Sequence, residues 1–149
     1  MRDASAVTEP LLLDTQVWIW AVNNEIGRVG RHVPDLLTHA AADRRAHVSA
    51  VSVWEAAHAI HRGRVVVRAP LDTWIERAVT AFGGYVWPMD RDVALESVRL
   101  PGLTHRDPAD RFLIATARVR GARLVTVDRE ILGYGAAGHV TVLDARPSR

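Results

Sequence analysis

Residues 11–20 read LLLDTQVWIW, an apolar run that ends in an aspartate and continues as a second apolar segment. The pattern predicts a short buried strand at Leu11–Leu13 that leads directly into a helix. Either Asp14 or Thr15 is suited to cap that helix, because both side chains offer an oxygen to the first backbone amides. A strand that passes at once into a helix is one unit of an α/β fold.

The same alternation continues along the chain. Further strands are predicted at residues 47–50, 85–89, 123–127 and 140–143, and further helices at 28–43, 52–61, 71–82, 91–99 and 107–120. This order predicts an α/β fold, a three-layer α/β/α sandwich with a mainly parallel central sheet and right-handed crossovers. We expect a single domain over residues 1–149, with a core at about 11–143, an extension at 1–10 and a tail at 144–149.

Composition excludes several classes of protein. The 149 residues contain no cysteine, which removes thiol nucleophiles, disulfide scaffolds and zinc fingers and suits the reducing cytoplasm. The chain has 19 arginines and no lysine, which excludes sites that need a P-loop lysine or a Schiff-base lysine. Residues 1–10 have no apolar run, and no later stretch approaches the roughly 20 residues of a membrane span. We therefore expect a cytoplasmic protein with no membrane partner.

Acidic residues recur where predicted strands end or helices begin. Asp14 and Asp128 directly follow strands, Glu55 lies on the helix after the second strand, and Asp107 and Asp110 open a later helix. The carboxyl ends of parallel strands meet at one edge of the sheet, where ligand sites of α/β proteins form. Residues distant in sequence are therefore expected to converge there.

Each of these acids also has a structural explanation. Ser52 and Glu55 match a capping box, in which the glutamate bonds back to the start of its helix. Asp107 precedes a proline, as an N-cap residue often does. Asp110 and Asp128 would each complement a helix dipole. Taken together, however, and with Asp107 and Asp110 counted as one position, four carboxylates at one edge repel each other unless a cation neutralises them, which favours a site for a hard metal.

Mg²⁺ and Mn²⁺ are the metals that such a site suits, because both prefer oxygen ligands. They support phosphodiester hydrolysis without a nucleophilic side chain. Competing motifs are weak: the chain has no G-x-G-x-x-G sequence and no Walker loop. His58 and His61 are interpreted as surface residues of a helix, and Trp18, Trp20, Trp54 and Trp74 as core or dimer-interface residues.

Four blocks in order, LLLDTQVWIW, VSAVSVWEAA, LPGLTHRDPADRFLIATA and LVTVDREI, resemble the PIN-domain ribonucleases and, within them, the VapC-like toxins of type II toxin–antitoxin pairs. The resemblance extends from Leu11 to about Leu143, and the third block is the most specific. It implies an Mg²⁺- or Mn²⁺-dependent endoribonuclease, a homodimer, and a cognate antitoxin protein as partner. The alternatives are a metal-dependent DNase or structure-specific nuclease, or a non-catalytic module that binds nucleic acid or protein.

By motif, the resemblance assigns the catalytic acids to Asp14, Glu55, Asp110 and Asp128. Asp14 and Asp110 are expected to hold the metal, with Glu55 and Asp128 as further candidate ligands. Asp107 is kept as a cap or a lesser candidate. Thr15 and Thr126 are secondary candidates, whose hydroxyls could orient water at the site. The arginines expected to bind RNA phosphates are Arg62, Arg64, Arg106 and Arg111.

Overall fold

The computed structural model describes residues 8–82, 85–102 and 107–148. All the predicted strands and helices occur in these residues, and one further helix, which was not predicted, follows the fourth strand. The strands are β1 (Leu11–Leu13), β2 (Ala46–Ser49), β3 (Val86–Trp87), β4 (Arg123–Thr126) and β5 (Val142–Asp144). The helices are α1 (Thr15–Val22), α2 (Val33–Ala42), α3 (Ala50–His61), α4 (Leu71–Thr80), α5 (Arg91–Val98), α6 (Pro108–Arg120) and α7 (Arg129–Ala136).

The five strands form one parallel sheet in the order β3-β2-β1-β4-β5. The chain moves outward from β1 to one side through β2 and β3, then returns to the other side at β4. The direction of travel therefore reverses between β1 and β4, where Leu13 lies opposite Val125. In open α/β sheets, the crevice at the carboxyl ends of such a pair is the usual place for a ligand.

Strand β1 is buried on both faces. Leu11 and Leu13 pack into one apolar cluster with Trp18 of α1, whereas Leu12 packs into a second cluster with Ile114 of α6. Successive side chains of a strand point to opposite faces, so these two clusters lie on the two sides of the sheet. The predicted three-layer sandwich is confirmed.

Several boundaries differ from the prediction: β3 covers Val86–Trp87 rather than 85–89, β5 covers Val142–Asp144 rather than 140–143, and α4 ends at Thr80 rather than at 82. The starts of α2 and α3 differ as well.

Helix α2 begins at Val33 rather than near residue 28, and a separate 3-10 turn covers Ile26–Arg28. Proline is tolerated only in the first turn of a helix, because its ring clashes with the carbonyl four residues before it. Pro34 therefore sets the start of α2.

Helix α3 begins at Ala50, two residues before the predicted start. Its N-cap is Ser49, whose Oγ accepts a hydrogen bond of 3.0 Å from the backbone amide of Val51. Ser52 therefore lies inside the helix, and the capping box expected between Ser52 and Glu55 does not form. The side chains of Ser52 and Glu55 are therefore available to bond to residues of other elements.

In the part of the chain that the structure describes, none of the helices combines the length and apolarity needed to cross a bilayer.

Candidate active site

Asp14 stands at the carboxyl end of β1, beside the neighbouring strand β4. Its backbone amide donates to the carbonyl of Val125 at 3.0 Å, which continues the parallel ladder one residue past β1. The residue is only 8% exposed. Although Asp14 occupies the N-cap position of α1, its side chain makes no capping bond. The strand therefore fixes the position of Asp14, and its carboxylate bonds to residues outside α1 instead of capping that helix.

Thr126, the last residue of β4, links two of the acids. Its buried hydroxyl donates to Asp14 Oδ2 at 2.6 Å and accepts from the backbone amide of Asp128 at 3.0 Å. One hydroxyl thus fixes the carboxylate that follows β1 and the backbone that follows β4. Asp128 in turn caps α7, because its Oδ1 accepts from the amide of Ile131 at 3.0 Å. The structure thus adds a capping bond to the dipole role that was considered for Asp128, at the same edge of the sheet.

Glu55 is held by a short chain of hydroxyl groups. The Thr15 hydroxyl donates to Glu55 Oε1 at 2.6 Å, and its oxygen lies 2.7 Å from Ser52 Oγ. Because a threonine hydroxyl has one hydrogen, the Ser52 hydroxyl must donate to Thr15. A chain from α3 through α1 back to α3 therefore orients the carboxylate. Ser52 was predicted only as a cap, since this long-range contact leaves no local signal in the sequence.

The two aspartates of α6 have different surroundings. Asp107 is the N-cap, and its Oδ1 accepts from the amide of Ala109 at 3.0 Å, as predicted. Asp110, in the first turn of the helix, is partly buried and lines the same cleft as the other predicted catalytic acids. Asp107 lies on the wall of an adjoining apolar cleft that shares Glu55.

The four predicted catalytic acids line one cleft of about 550 Å³, which we call the acidic cleft. Asp14, Glu55, Asp110 and Asp128 reach it from four different elements or their ends, which is the convergence that the sequence predicted. Within residues 8–82, 85–102 and 107–148, no three histidine or acidic side chains approach closely enough to enclose a metal by themselves. The cleft is therefore an open set of oxygen ligands.

Burial dominates the electrostatics of the two most enclosed acids. Burial raises the pKa of Asp14 above its ordinary value, the Thr126 hydrogen bond lowers it, and the charges of Asp128 and Asp107 raise it further. Burial likewise raises the pKa of Glu55, the Thr15 hydrogen bond lowers it, and the charges of Asp107 and Asp14 raise it. Asp107 thus acts on both carboxyls through its field, in addition to capping α6.

A divalent cation fits this donor set. Among the described residues, no arginine or histidine forms an ion pair with Asp14, Glu55 or Asp128. Negative charges that repel each other in a buried place favour a bound cation. Mg²⁺ needs no protein cage, because it is commonly held by one or two carboxylates together with waters and substrate phosphates. The open arrangement matches that mode.

The predicted RNA-binding arginines are scattered. Arg64 lines the acidic cleft, whereas Arg62 is exposed at the end of α3 and lies outside it. The Arg111 guanidinium donates to the carbonyl of Ser97 at 2.9 and 3.2 Å and so joins α6 to α5. Arg106 lies outside the described residues.

Two aromatic side chains of α3 form the rim between the acidic and the apolar cleft. Trp54 is 63% exposed, and its ring stacks on that of His58 with centroids 5.2 Å apart and planes at 10°. Trp54 lines both clefts and His58 lines the acidic one. Of the two roles predicted for the tryptophans, core packing is confirmed for Trp18 and Trp74, whereas the exposure of Trp54 excludes the core and leaves the dimer interface as its prediction.

Comparisons with known proteins agree with this architecture. Residues 11–136 match the family described as PIN domain. Ribonuclease VapC22 of Mycobacterium tuberculosis is 33% identical over 135 residues, which cover 89% of this chain and 97% of the relative. Among solved structures, DNA-bound VapBC of Salmonella typhimurium superposes with a TM-score of 0.66 at 16% identity, over 92% of this chain and 98% of the other. VapBC-5 of Mycobacterium tuberculosis, from the VapBC family of toxin–antitoxin systems, gives 0.58 at 18% identity, over 93% and 100%.

Proposed function

The chain belongs to the PIN-domain family and resembles its VapC-like ribonucleases along most of its length, and from that premise we propose that it is a divalent-metal-dependent endoribonuclease. The observation that best supports this proposal is the unit formed by Asp14, Thr126 and Asp128 where the sheet reverses direction. One hydroxyl there fixes two acids beside a cleft lined by two more. Such a set of oxygen ligands supports the proposal, because hard cations prefer oxygen ligands.

In this proposal Asp14 and Asp110 hold Mg²⁺ or Mn²⁺, and Glu55 and Asp128 complete the acidic pocket. The bound cation supplies Lewis acidity and activation of water for attack on a phosphodiester. The protein supplies orientation: Thr126 fixes Asp14 at Oδ2, and Thr15 fixes Glu55 at Oε1. Hydrogen bonds of this kind to ligating carboxylates set the strength and geometry of a metal site.

The proposed partners follow from the relatives. The solved neighbours are VapBC assemblies, one of them from a toxin–antitoxin family, so we propose that a cognate antitoxin binds this chain and blocks its activity. A homodimer is proposed from the family resemblance, and light scattering of the purified chain would test it. Action in the cytoplasm stays a prediction from the cysteine-free sequence.

The direct test is cleavage of structured RNAs by the chain purified without any co-expressed partner. We expect cleavage in Mg²⁺, none in EDTA, and none by Asp14→Asn. Asp35→Asn is a matched control, because it removes the same charge from an exposed site on α2. Cleavage of single-stranded DNA but not RNA would assign a DNase, and absence of both cleavage and metal binding would leave a binding module.

The assignment between the two aspartates of α6 needs its own comparison. Asparagine can keep the capping bond of Asp107, so Asp107→Asn is expected to lower kcat/KM by about 10–100-fold, through its effect on the neighbouring acids. Asp110→Asn removes a proposed ligand and should lose more. Equal losses for the two variants would contradict the assignment of Asp110 as the metal ligand.

A further inference from the structure

A second cleft, of about 700 Å³, adjoins the acidic cleft. The two share Gln16 and Ile19 of α1 and Arg64 and Val65 of the segment after α3. An extended polymer bound in the acidic cleft can therefore continue along the protein surface into the second cleft. We call this second cleft the arginine cleft, after the side chains that line it.

Four arginines line the arginine cleft from separate parts of the fold. Arg28 ends the 3-10 turn, Arg64 and Arg68 lie in the segment between α3 and α4, and Arg77 is in the last turn of α4. Glu25 is the acidic residue on its wall, and its Oε1 lies 3.6 Å from Arg28 Nη2. With four positive charges and one negative charge, the lining of this cleft carries a net positive charge.

Three of these guanidinium groups have no carboxylate partner in the described chain. The salt bridges there do not involve Arg64, Arg68 or Arg77. Asp72 and Glu76 are near in sequence on α4, but neither lines the cleft. Like charges held together without counter-charges raise the free energy of the folded state, and an anion bound among them would relieve that repulsion.

The side chains suit a phosphodiester backbone in particular. Guanidinium groups bind phosphate through two parallel hydrogen bonds, and they also lie flat against aromatic rings. The Arg28 guanidinium lies 5.6 Å from the centre of the Trp20 ring, and Trp20 also lines the cleft. The cleft thus offers charge for phosphates and a flat apolar face beside it.

We propose that the arginine cleft binds the RNA backbone on one side of the cleaved bond, with Arg64 at the junction and Arg68 and Arg77 further along. This inference rests on the proposed function, since it assumes that RNA occupies the acidic cleft. A polyanion is repelled by four carboxylates, so a neighbouring positive surface is what would hold it in place. The set differs from the predicted RNA-binding arginines: of those that the structure describes, Arg64 lines the cleft and Arg62 and Arg111 do not.

The test compares two double variants that remove the same charge. Arg68→Gln/Arg77→Gln removes two cleft arginines, both exposed. Arg91→Gln/Arg99→Gln removes two exposed arginines at the two ends of α5, away from either cleft. Binding is followed by fluorescence anisotropy of an end-labelled single-stranded RNA in EDTA over a series of salt concentrations, so that the binding result does not depend on cleavage.

The cleft variant is expected to lose about 25-fold in RNA affinity at 0.1 M salt, and its slope of log K against log salt should flatten by about 1.4, since each lost phosphate contact contributes about 0.7. In Mg²⁺ the same variant should raise KM and leave kcat near the wild-type value. Arg68→Lys/Arg77→Lys should keep most of the salt slope, because it keeps both charges.

Equal affinity and slope for the cleft and control variants would overturn the inference, while RNA cleavage by the wild type would leave the proposed function intact. Conversely, a wild type that never cleaves RNA would refute the proposed function, whatever the binding result. Poly-L-glutamate serves as a second probe, because an acidic protein segment is the other polyanion that this cleft could bind. If the cleft variant lost only its binding of poly-L-glutamate and kept its RNA affinity, the cleft would belong to an acidic protein segment and the RNA assignment would be wrong.

Discussion

Replacing Asp14 by asparagine is expected to abolish activity and, in EDTA, to stabilise the folded chain. The carboxylate is 8% exposed, and burial together with the charges of Asp128 and Asp107 raises its pKa. A buried anion without a cation destabilises the folded state. Asparagine removes the charge but keeps an oxygen that can accept from the Thr126 hydroxyl, which bonds Oδ2 at 2.6 Å.

The expected gain at neutral pH is about 0.5–2 kcal/mol, the range in which single stabilising substitutions usually fall. For a chain of this length, that free energy corresponds to a rise in Tm of about 1–8 °C. Asp14→Ala gives the contrast, because it also removes the charge but leaves the Thr126 hydroxyl without its acceptor. That loss costs about 1–3 kcal/mol, so the alanine variant should be less stable than the asparagine variant.

The pH dependence has a definite sign. Because the pKa of Asp14 is raised on folding, the folded state binds this proton more tightly than the unfolded state does. The contribution of this group to stability is therefore present below its ordinary pKa of 3.8 and is lost as pH rises through the raised value. The advantage of Asp14→Asn should grow from pH 4 to neutral pH.

Urea unfolding followed by circular dichroism in EDTA measures these differences, with Asp35→Asn as the control for removal of an exposed charge. An asparagine variant less stable than the wild type by more than about 1 kcal/mol would refute the reasoning, since it would show that the carboxylate stabilises the chain without metal.

Further predictions concern a supporting hydroxyl and two glycines. Thr126→Val removes the donor to Asp14 and should lower kcat/KM by about 10–100-fold, measured with RNA in Mg²⁺, and an unchanged value would contradict a role in orienting that carboxylate. In α7, a Cβ at Gly135 would meet Val142 Cγ2 at 2.5 Å, whereas a Cβ at Gly133 would meet nothing within 4 Å. Gly135→Ala is therefore expected to lower the free energy of unfolding by about 1–3 kcal/mol, and Gly133→Ala to raise it by about 0.5–1 kcal/mol. Thermal melts that gave the same sign for both would contradict the close packing of α7 on β5.

Features set by local patterns could be predicted from the sequence. An apolar run such as Leu11–Leu13 predicts a buried strand, and parallel strands bring their carboxyl ends to one edge of a sheet. Those two rules together predicted that Asp14 and Asp128 would meet near the switch of strand direction, and the structure places them there. The end of α6 at residue 120 was likewise predicted, and Gly121 follows it with a φ of +63°.

Features set by contacts between distant residues could not be predicted. The S-x-x-E pattern of Ser52 and Glu55 is compatible with two arrangements. Ser52 can cap the helix, or it can lie inside the helix and help to orient the Glu55 carboxylate. The choice depends on Ser49 as the competing cap and on Thr15 across the interface with α1. The arginine cleft has a similar origin, because the segment that contributes Arg68 has no regular secondary structure and no periodicity.

The most direct test of the central account is calorimetric titration of the metal-free chain with Mn²⁺, which binds the same oxygen ligands as Mg²⁺. We expect saturable binding to the wild type and to the Asp35→Asn control, and none to Asp14→Asn at the same concentrations. Equal binding to Asp14→Asn, or no binding to the wild type, would contradict the account that the acidic cleft is a divalent-metal site.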